Sequence, residues 1–256
     1  MKRRVALLIE YDGAGFFGWQ RQAVGLSVQS VLEEACTKLT GGDYVTCTAA
    51  GRTDSGVHAE GQVVSCDLPV SYTSSVIRNA LNYHTRPHPV AVRQVAEVDA
   101  DWSARFSAQG RAYRYMINTR PARLVLEDGR AWHVPRDLDV AAMHEAAQHL
   151  VGRHDFTSFR ASSCQAKSPL RTLDRLDVTR HGEQIVIIAE ARSFLHHQVR
   201  NMVGTIKLVG DGKMKAAQID RILAARDRSA AGPTAPAEGL YFTRVEYDPD
   251  PFTQPG

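Results

Sequence analysis

Long apolar runs, paired cysteine motifs and an excess of one charge are all missing from this chain. Each absence removes a class of function. No stretch approaches the roughly 20 apolar residues that a bilayer span requires. The basic start Met1-Lys2-Arg3-Arg4 leads into an apolar run over 5–9. That run is too short for a signal-peptide core and has no small-residue cleavage site. A mature cytoplasmic protein with no membrane segment is expected. The four cysteines, Cys36, Cys47, Cys66 and Cys164, form no C-x-x-C pair. Neither a zinc site nor a redox motif is visible, and buried or half-buried reduced thiols are expected. The net charge of +3 is small. Its distribution is more informative: residues 1–110 hold 10 basic and 11 acidic side chains, residues 111–256 hold 21 and 17. Arginine supplies 25 of the 31 cations, a bias that suits phosphate contacts and stacking on bases.

Several chemistries are excluded by missing patterns. There is no P-loop, no G-x-S-x-G and no Cys-His arrangement. His144-Glu145 with His149 is one residue longer than H-E-x-x-H, so a helix would turn the two rings apart. His196 and His197 are adjacent and are not expected to share a face. No metal site is expected. Asp54-Ser55-Gly56 resembles the D-S-G of aspartic proteases, but those enzymes need a second carboxylate across a dyad, and no second copy exists here.

What is present reads as alternating strands and helices. Residues 4–11 form a strand. Asp12-Gly13-Ala14-Gly15-Phe16-Phe17-Gly18-Trp19-Gln20 follows and contains G-x-G-x-x-G. A dinucleotide fingerprint would open a helix inside those glycines. Here Phe16, Phe17 and Trp19 crowd the place, so the segment reads as an aromatic loop packing on the sheet or lining a base-binding cleft. A helix starts near 27–30, with Ser30-x-x-Glu33 as its capping box, and Gly41-Gly42 stops it. Strands over 44–50 and 62–68, a helix over 74–83 and a strand over 90–98 complete a β-α-β-β-α-β order. That order is the ferredoxin-like split unit. The second half repeats it with one extra helix: strands at 105–118, 171–180, 184–192 and 239–247, helices at 138–151, 197–209 and 216–225. The expected fold is α+β, with two ferredoxin-like units (1–104 and 105–256) whose antiparallel sheets can flank one central cleft, which suits an elongated substrate. Residues 152–170 read as a long irregular insertion. It combines Arg153, His154, Arg160 and Lys167 with Phe156 and Phe159, a composition that can grip RNA through phosphates and stacking. The proline-containing tail, 248–256, is expected to be disordered at its end.

The chain is organised around Gly51-Arg52-Thr53-Asp54-Ser55-Gly56-Val57-His58-Ala59, a loop between two strands. Its glycines free the backbone, and Arg52 and Asp54 can aim at one cleft. Once metals and standard nucleophiles are set aside, Asp54 is the singular carboxylate. The helix-starting segment Phe194-Leu195-His196-His197-Gln198-Val199-Arg200-Asn201 carries a further arginine that can keep a carboxylate ionised.

Five segments together resemble the tRNA pseudouridine synthase A group. They are Tyr11-Asp12-Gly13-x-x-Phe16-x-Gly18-Trp19-Gln20, the 51–59 loop, Arg111-Ala112-Tyr113-Arg114-Tyr115, the 194–201 segment, and Ala235-Pro236-Ala237-Glu238-Gly239-Leu240. They follow the family's order along nearly the whole chain. Ser55 and Gln198 stand where the family pattern would place Ala and Met. The resemblance implies isomerisation of uridine to pseudouridine at positions 38, 39 and 40 of the tRNA anticodon stem-loop. It also implies a homodimer with one tRNA contacting both subunits, and no metal or organic cofactor. By the same resemblance, Asp54 is the essential carboxylate nucleophile and Arg200 its salt-bridge partner. Arg52 helps hold the flipped-out uridine, Tyr113 stacks on the base and takes the C5 proton, and Leu240 packs on the ring's other side. The alternative is a catalytically silent tRNA- or RNA-binding protein on the same scaffold.

Overall fold

Strand β1 (Lys2–Tyr11) is rich in Val, Leu and Ile, and Val5, Leu7 and Ile9 are buried at a two-residue period. A computed structural model describes residues 1–253 of the chain. The expected disordered end over 254–256 lies outside the described residues.

After β1 come α1 (Val28–Leu39), β2 (Thr48–Ala49), β3 (His58–Pro69), α2 (Ser74–His84) and β4 (Val90–Glu97). The later elements are β5 (Gly110–Asn118), β6 (Trp132–His133), α3 (Val140–Gln148), β7 (Gly152–Asp155), β8 (Leu170–His181), β9 (Gln184–Ala191), α4 (Gln198–Gly210), α5 (Gln218–Ala225) and β10 (Leu240–Glu246). The chain forms two units, residues 1–110 with 242–256, and residues 111–241. No helix of the described residues is long and apolar enough to cross a membrane.

In the first unit the strand order is β4-β1-β3-β10, with the short β2 also pairing β3. The pairs of β1 with β3 and β4 are antiparallel. Helix α1 buries Val28, Val31, Leu32 and Ala35, and α2 buries Ile77 and Leu81. Asn82 fixes α2 to β4 by donating to the Val92 carbonyl at 2.8 Å and accepting from the Val92 amide at 2.7 Å. A second apolar cluster gathers Ala50, Val63, Ala104, Ala108 and Tyr247, with Leu8, Trp102, Val245 and Phe252 packed against it. Part of the tail is therefore held to the sheet by Tyr247 and Phe252.

The capping box of α1 differs from expectation. Ser27 is the N-cap and exchanges hydrogen bonds with Ser30. Glu33 instead turns inward and its carboxylate takes four donors: Gln29, the Cys47 amide, Arg21 and Tyr44. A buried carboxylate is tolerated only with such pairing. The strand that follows α1 is also shorter than the expected 44–50, because the segment from 43 to 47 is held by Glu33 and Thr40 rather than by a ladder.

The second unit runs β5-β9-β8-β7, with β6 parallel to β5. Strands β8 and β9 form a hairpin whose turn needs Gly182 at φ 62°. The expected irregular insertion is partly regular: β7 pairs antiparallel with β8, and residues 157–159 form a 3-10 turn. Phe156 and Phe159 are fully buried, so they belong to the core rather than to a stacking surface. The strand expected from 105 begins at Gly110; the segment before it packs Ala104 and Ala108 into the first unit's apolar cluster.

Candidate active site

The register of β1 on β3 places Tyr11 opposite Ala59. The end of one strand and the start of the other therefore lie side by side, and the loops attached to them meet. One is 12–20, the other 51–57, which carries Arg52 and Asp54. Contacts between them use both backbone and side chains. The Trp19 amide donates to the Thr53 carbonyl at 3.0 Å, and the Ser55 hydroxyl donates to the Phe16 carbonyl at 3.0 Å. Tyr11 Oη and Thr53 Oγ1 share a hydrogen bond of 2.8 Å. Burial pushes the Tyr11 hydroxyl up to about 12, partly offset by its hydrogen bonds with Thr53 and Gln62. It therefore stays a neutral hydroxyl able to hold Thr53. Within the loop the Val57 amide closes a turn onto the Asp54 carbonyl at 3.1 Å, with Gly56 at φ 79°.

The glycines of the G-x-G-x-x-G segment have a local reason. A Cβ on Gly13 would sit 2.1 Å from the Val57 carbonyl oxygen, and one on Gly18 would sit 2.6 Å from that of Thr53. Gly18 also has φ 85°. These residues are glycine because the carboxylate loop rests directly on their backbone. Phe16 and Trp19 are buried beneath it, whereas Phe17 is 56% exposed. The same loop leads into α1: the Gly18 and Trp19 carbonyls accept from the Val28 and Gln29 amides. His58, buried at the start of β3, accepts from the Gly13 amide at Nδ1 (3.0 Å), with Asp12 Oδ1 3.1 Å from the same nitrogen. Arg52 is exposed and Asp54 half-buried on the loop so fixed.

The other three expected residues lie in the second unit. Tyr113, on β5, is 9% exposed and meets the Phe194 ring edge-on at 5.1 Å. Arg200 is on the first turn of α4 and clasps Ala235: its Nε donates to the Ala235 carbonyl at 2.8 Å, while its own carbonyl accepts from the Ala235 amide at 3.1 Å. Tyr115, two residues from Tyr113 on the same strand face, donates to the Pro236 carbonyl at 2.8 Å. Burial raises its hydroxyl well above the ordinary value, opposed by Arg200. A Cβ on Gly239 would sit 2.6 Å from the Tyr115 ring. The segment from 235 to 239 is thus set by Arg200 and Tyr115, and it delivers Leu240, buried at the start of β10.

Two features of the start of α4 were missed from sequence. His197 occupies the left-handed region at φ 62°, a conformation that costs about 1–2 kcal/mol for a non-glycine residue. It brings the rings of His196 and His197 to 4.1 Å between centroids, so the two do share a face. Gln198 Oε1 accepts from the Leu195 amide at 2.8 Å and closes that turn. The supporting roles of Tyr11, His58, Tyr115 and Phe194 were also missed. Their only signal was membership of the motif segments.

The family model described as tRNA pseudouridine synthase matches residues 7–107 and 146–248. Among curated proteins, the chain is 64% identical over 251 residues to tRNA pseudouridine synthase A of Acidiphilium cryptum, covering 98% of both chains. It is 61% identical to the protein of that name from Paramagnetospirillum magneticum, covering 95% of each, and 60% identical to that of Rhodospirillum centenum, covering 96% of this chain and 100% of the other. The chain therefore belongs to the tRNA pseudouridine synthase family and is an isomerase that acts on tRNA.

Proposed function

We propose that the chain converts uridine to pseudouridine at positions 38, 39 and 40 of the tRNA anticodon stem-loop, with Asp54 as the carboxylate nucleophile. The observation that carries this reading is the support of the 51–57 loop. Thr53 and Ser55, on either side of Asp54, are each held by the 11–20 segment. A nucleophile held this way has little positional freedom to lose when it reacts. In the isomerisation the N1–C1′ bond breaks, the base turns, and a C5–C1′ bond forms. C5 gives up its proton and N1 gains one, so no atom is added or lost. An ionised carboxylate can attack the uridine and later leave it, or stabilise charge at C1′.

The other roles follow the chemistry of the side chains. The target uridine must leave the stack, which costs a few kcal/mol. Exposed Arg52 holds the flipped-out state. Tyr113 stacks on the uracil and takes the C5 proton, Leu240 packs on the ring's other side, and Arg200 is the salt-bridge partner of Asp54. Residues 1–104 supply the carboxylate loop, and 105–256 supply the base contacts and the basic side chains of 152–170. The order β4-β1-β3, with β2 outside β3, supports a ferredoxin-like reading of the first part. The enzyme works in the cytoplasm as a homodimer, with one tRNA touching both subunits and no metal or organic cofactor in the reaction.

The test is to incubate the enzyme with a transcript bearing uridine at 38, 39 and 40 and to map pseudouridine by position. Pseudouridine confined to those positions is expected. Modification elsewhere, with 38–40 untouched, would overturn the assigned site.

A further inference from the structure

Cysteines that the sequence scatters are brought together in the first unit. Cys36 lies on α1, Cys47 just before β2 and Cys66 on β3. All three are buried, and their Sγ atoms lie within 4.8 Å of one another. Each comes from a different segment, so the triangle exists only in the folded chain. Among the described residues this group holds no fourth His, Cys, Asp or Glu ligand atom. In a metal site with three sulfurs at about 2.3 Å, the sulfurs are roughly 4 Å apart. The triangle therefore needs only a small contraction to close on an ion.

We propose that Cys36, Cys47 and Cys66 form a closed three-thiolate site for a soft monovalent cation, Cu(I). Thiolate donors select soft ions. Structural zinc prefers four ligands, and this buried triangle offers three. Binding exchanges thiol protons for the metal, and those protons leave to solvent. The charged groups beside the site are Asp67, next to Cys66 in the chain and paired with Arg4, and Glu33, whose carboxylate accepts from the Cys47 amide. Its charge is already balanced by Arg21 and by the Gln29 and Tyr44 donors. Cys47 ends the non-ladder segment from 43, which offers the way in, because Tyr44 and Thr46 beside it are exposed. A bound ion would tie α1 and the approach to β2 onto β3.

The experiment is an anaerobic titration of the reduced full-length chain with Cu(I) against a bidentate Cu(I) chelator, followed by X-ray absorption of the loaded protein. One copper retained per chain, with three sulfur neighbours near 2.3 Å, is expected. Cys36→Ala and Cys47→Ser should each abolish retention, and Cys164→Ser should leave it unchanged. The absorption spectrum of the wild type decides the ligand set even if one variant fails to fold. Copper held entirely by the chelator would overturn the site. So would retention undiminished in a folded Cys36→Ala variant, or binding of Zn(II) in place of Cu(I) with an added oxygen ligand.

Discussion

The carboxylate loop and the segment before Leu240 are both irregular pieces of chain held in a fixed shape, but by different means. In the first unit the 51–57 loop lies directly on the backbone of Gly13 and Gly18, which leaves no room for a Cβ, with Tyr11, Ser55 and Gln62 side-chain bonds added to that contact. In the second, the segment from 235 to 239 is set largely by side chains, the Arg200 guanidinium and the Tyr115 hydroxyl. Backbone contact leaves no rotamer to relax, so the first region should fail abruptly when altered. Side-chain contact leaves room for adjustment, so the second should fail by degrees.

Glycine substitutions test that contrast most severely. Gly13→Ala and Gly18→Ala should each lower stability by about 3 kcal/mol, from overpacking and, at Gly18, an unsuitable φ. Turnover should fall by about 100-fold, as expected for a misplaced nucleophile. Gly15→Ala is the control: its φ is 84° but its Cβ would meet open space, so only about 1 kcal/mol should be lost. Urea melts and single-turnover rates check all three. Equal losses at Gly13 and Gly15 would remove the backbone-contact explanation.

Tyr11 gives the next effect and a pH signature. Its hydroxyl is raised from 10.0 to about 12 in the folded chain. The folded state thus holds a proton that the unfolded state has released between those values. The stabilisation is complete below about pH 10 and is lost as pH rises through about 12, a total of about 2–3 kcal/mol. Tyr11→Phe should abolish that part of the stability–pH slope and lower the turnover rate more than the affinity for tRNA. Denaturant melts from pH 9 to 12, paired with KM and kcat, would read both. In the second unit Tyr115→Phe removes one hydrogen bond, to Pro236. It should cost about 1 kcal/mol and a few-fold in rate, measured by the same assays. A loss as steep as that of Gly18→Ala would erase the distinction between the two regions.

Much of this was legible in the sequence. The order of elements can be read from hydrophobic period, and Asp54, Arg52, Tyr113, Arg200 and Leu240 stand in the segments that carry the family resemblance. What could not be read depends on tertiary convergence. Ser30-x-x-Glu33 has the letters of a capping box, yet the inward pull of Arg21, Gln29 and Cys47 on Glu33 moves the cap to Ser27. Phe156 and Phe159 sit among basic residues in sequence and in the core in space. The three cysteines are too far apart in the chain for any local pattern to report their meeting. The left-handed turn at His197 leaves no mark in composition.

The smallest expected effect concerns the basic side chains of the 152–170 stretch. With the aromatics buried there, any grip on tRNA must come from charge. Neutralising Arg160 and Lys167 together should reduce the salt dependence of tRNA binding by about 0.7–0.9 for each phosphate that is no longer neutralised. An unchanged slope would make that stretch a bystander.

The measurement closest to the central claim is tritium release from tRNA labelled at uracil C5, with wild type beside Asp54→Asn. The wild type should release tritium in step with pseudouridine formation. Asp54→Asn should release none while binding tRNA within a few-fold of wild type. Release by the folded Asp54→Asn variant at a comparable rate would contradict the role given to that carboxylate.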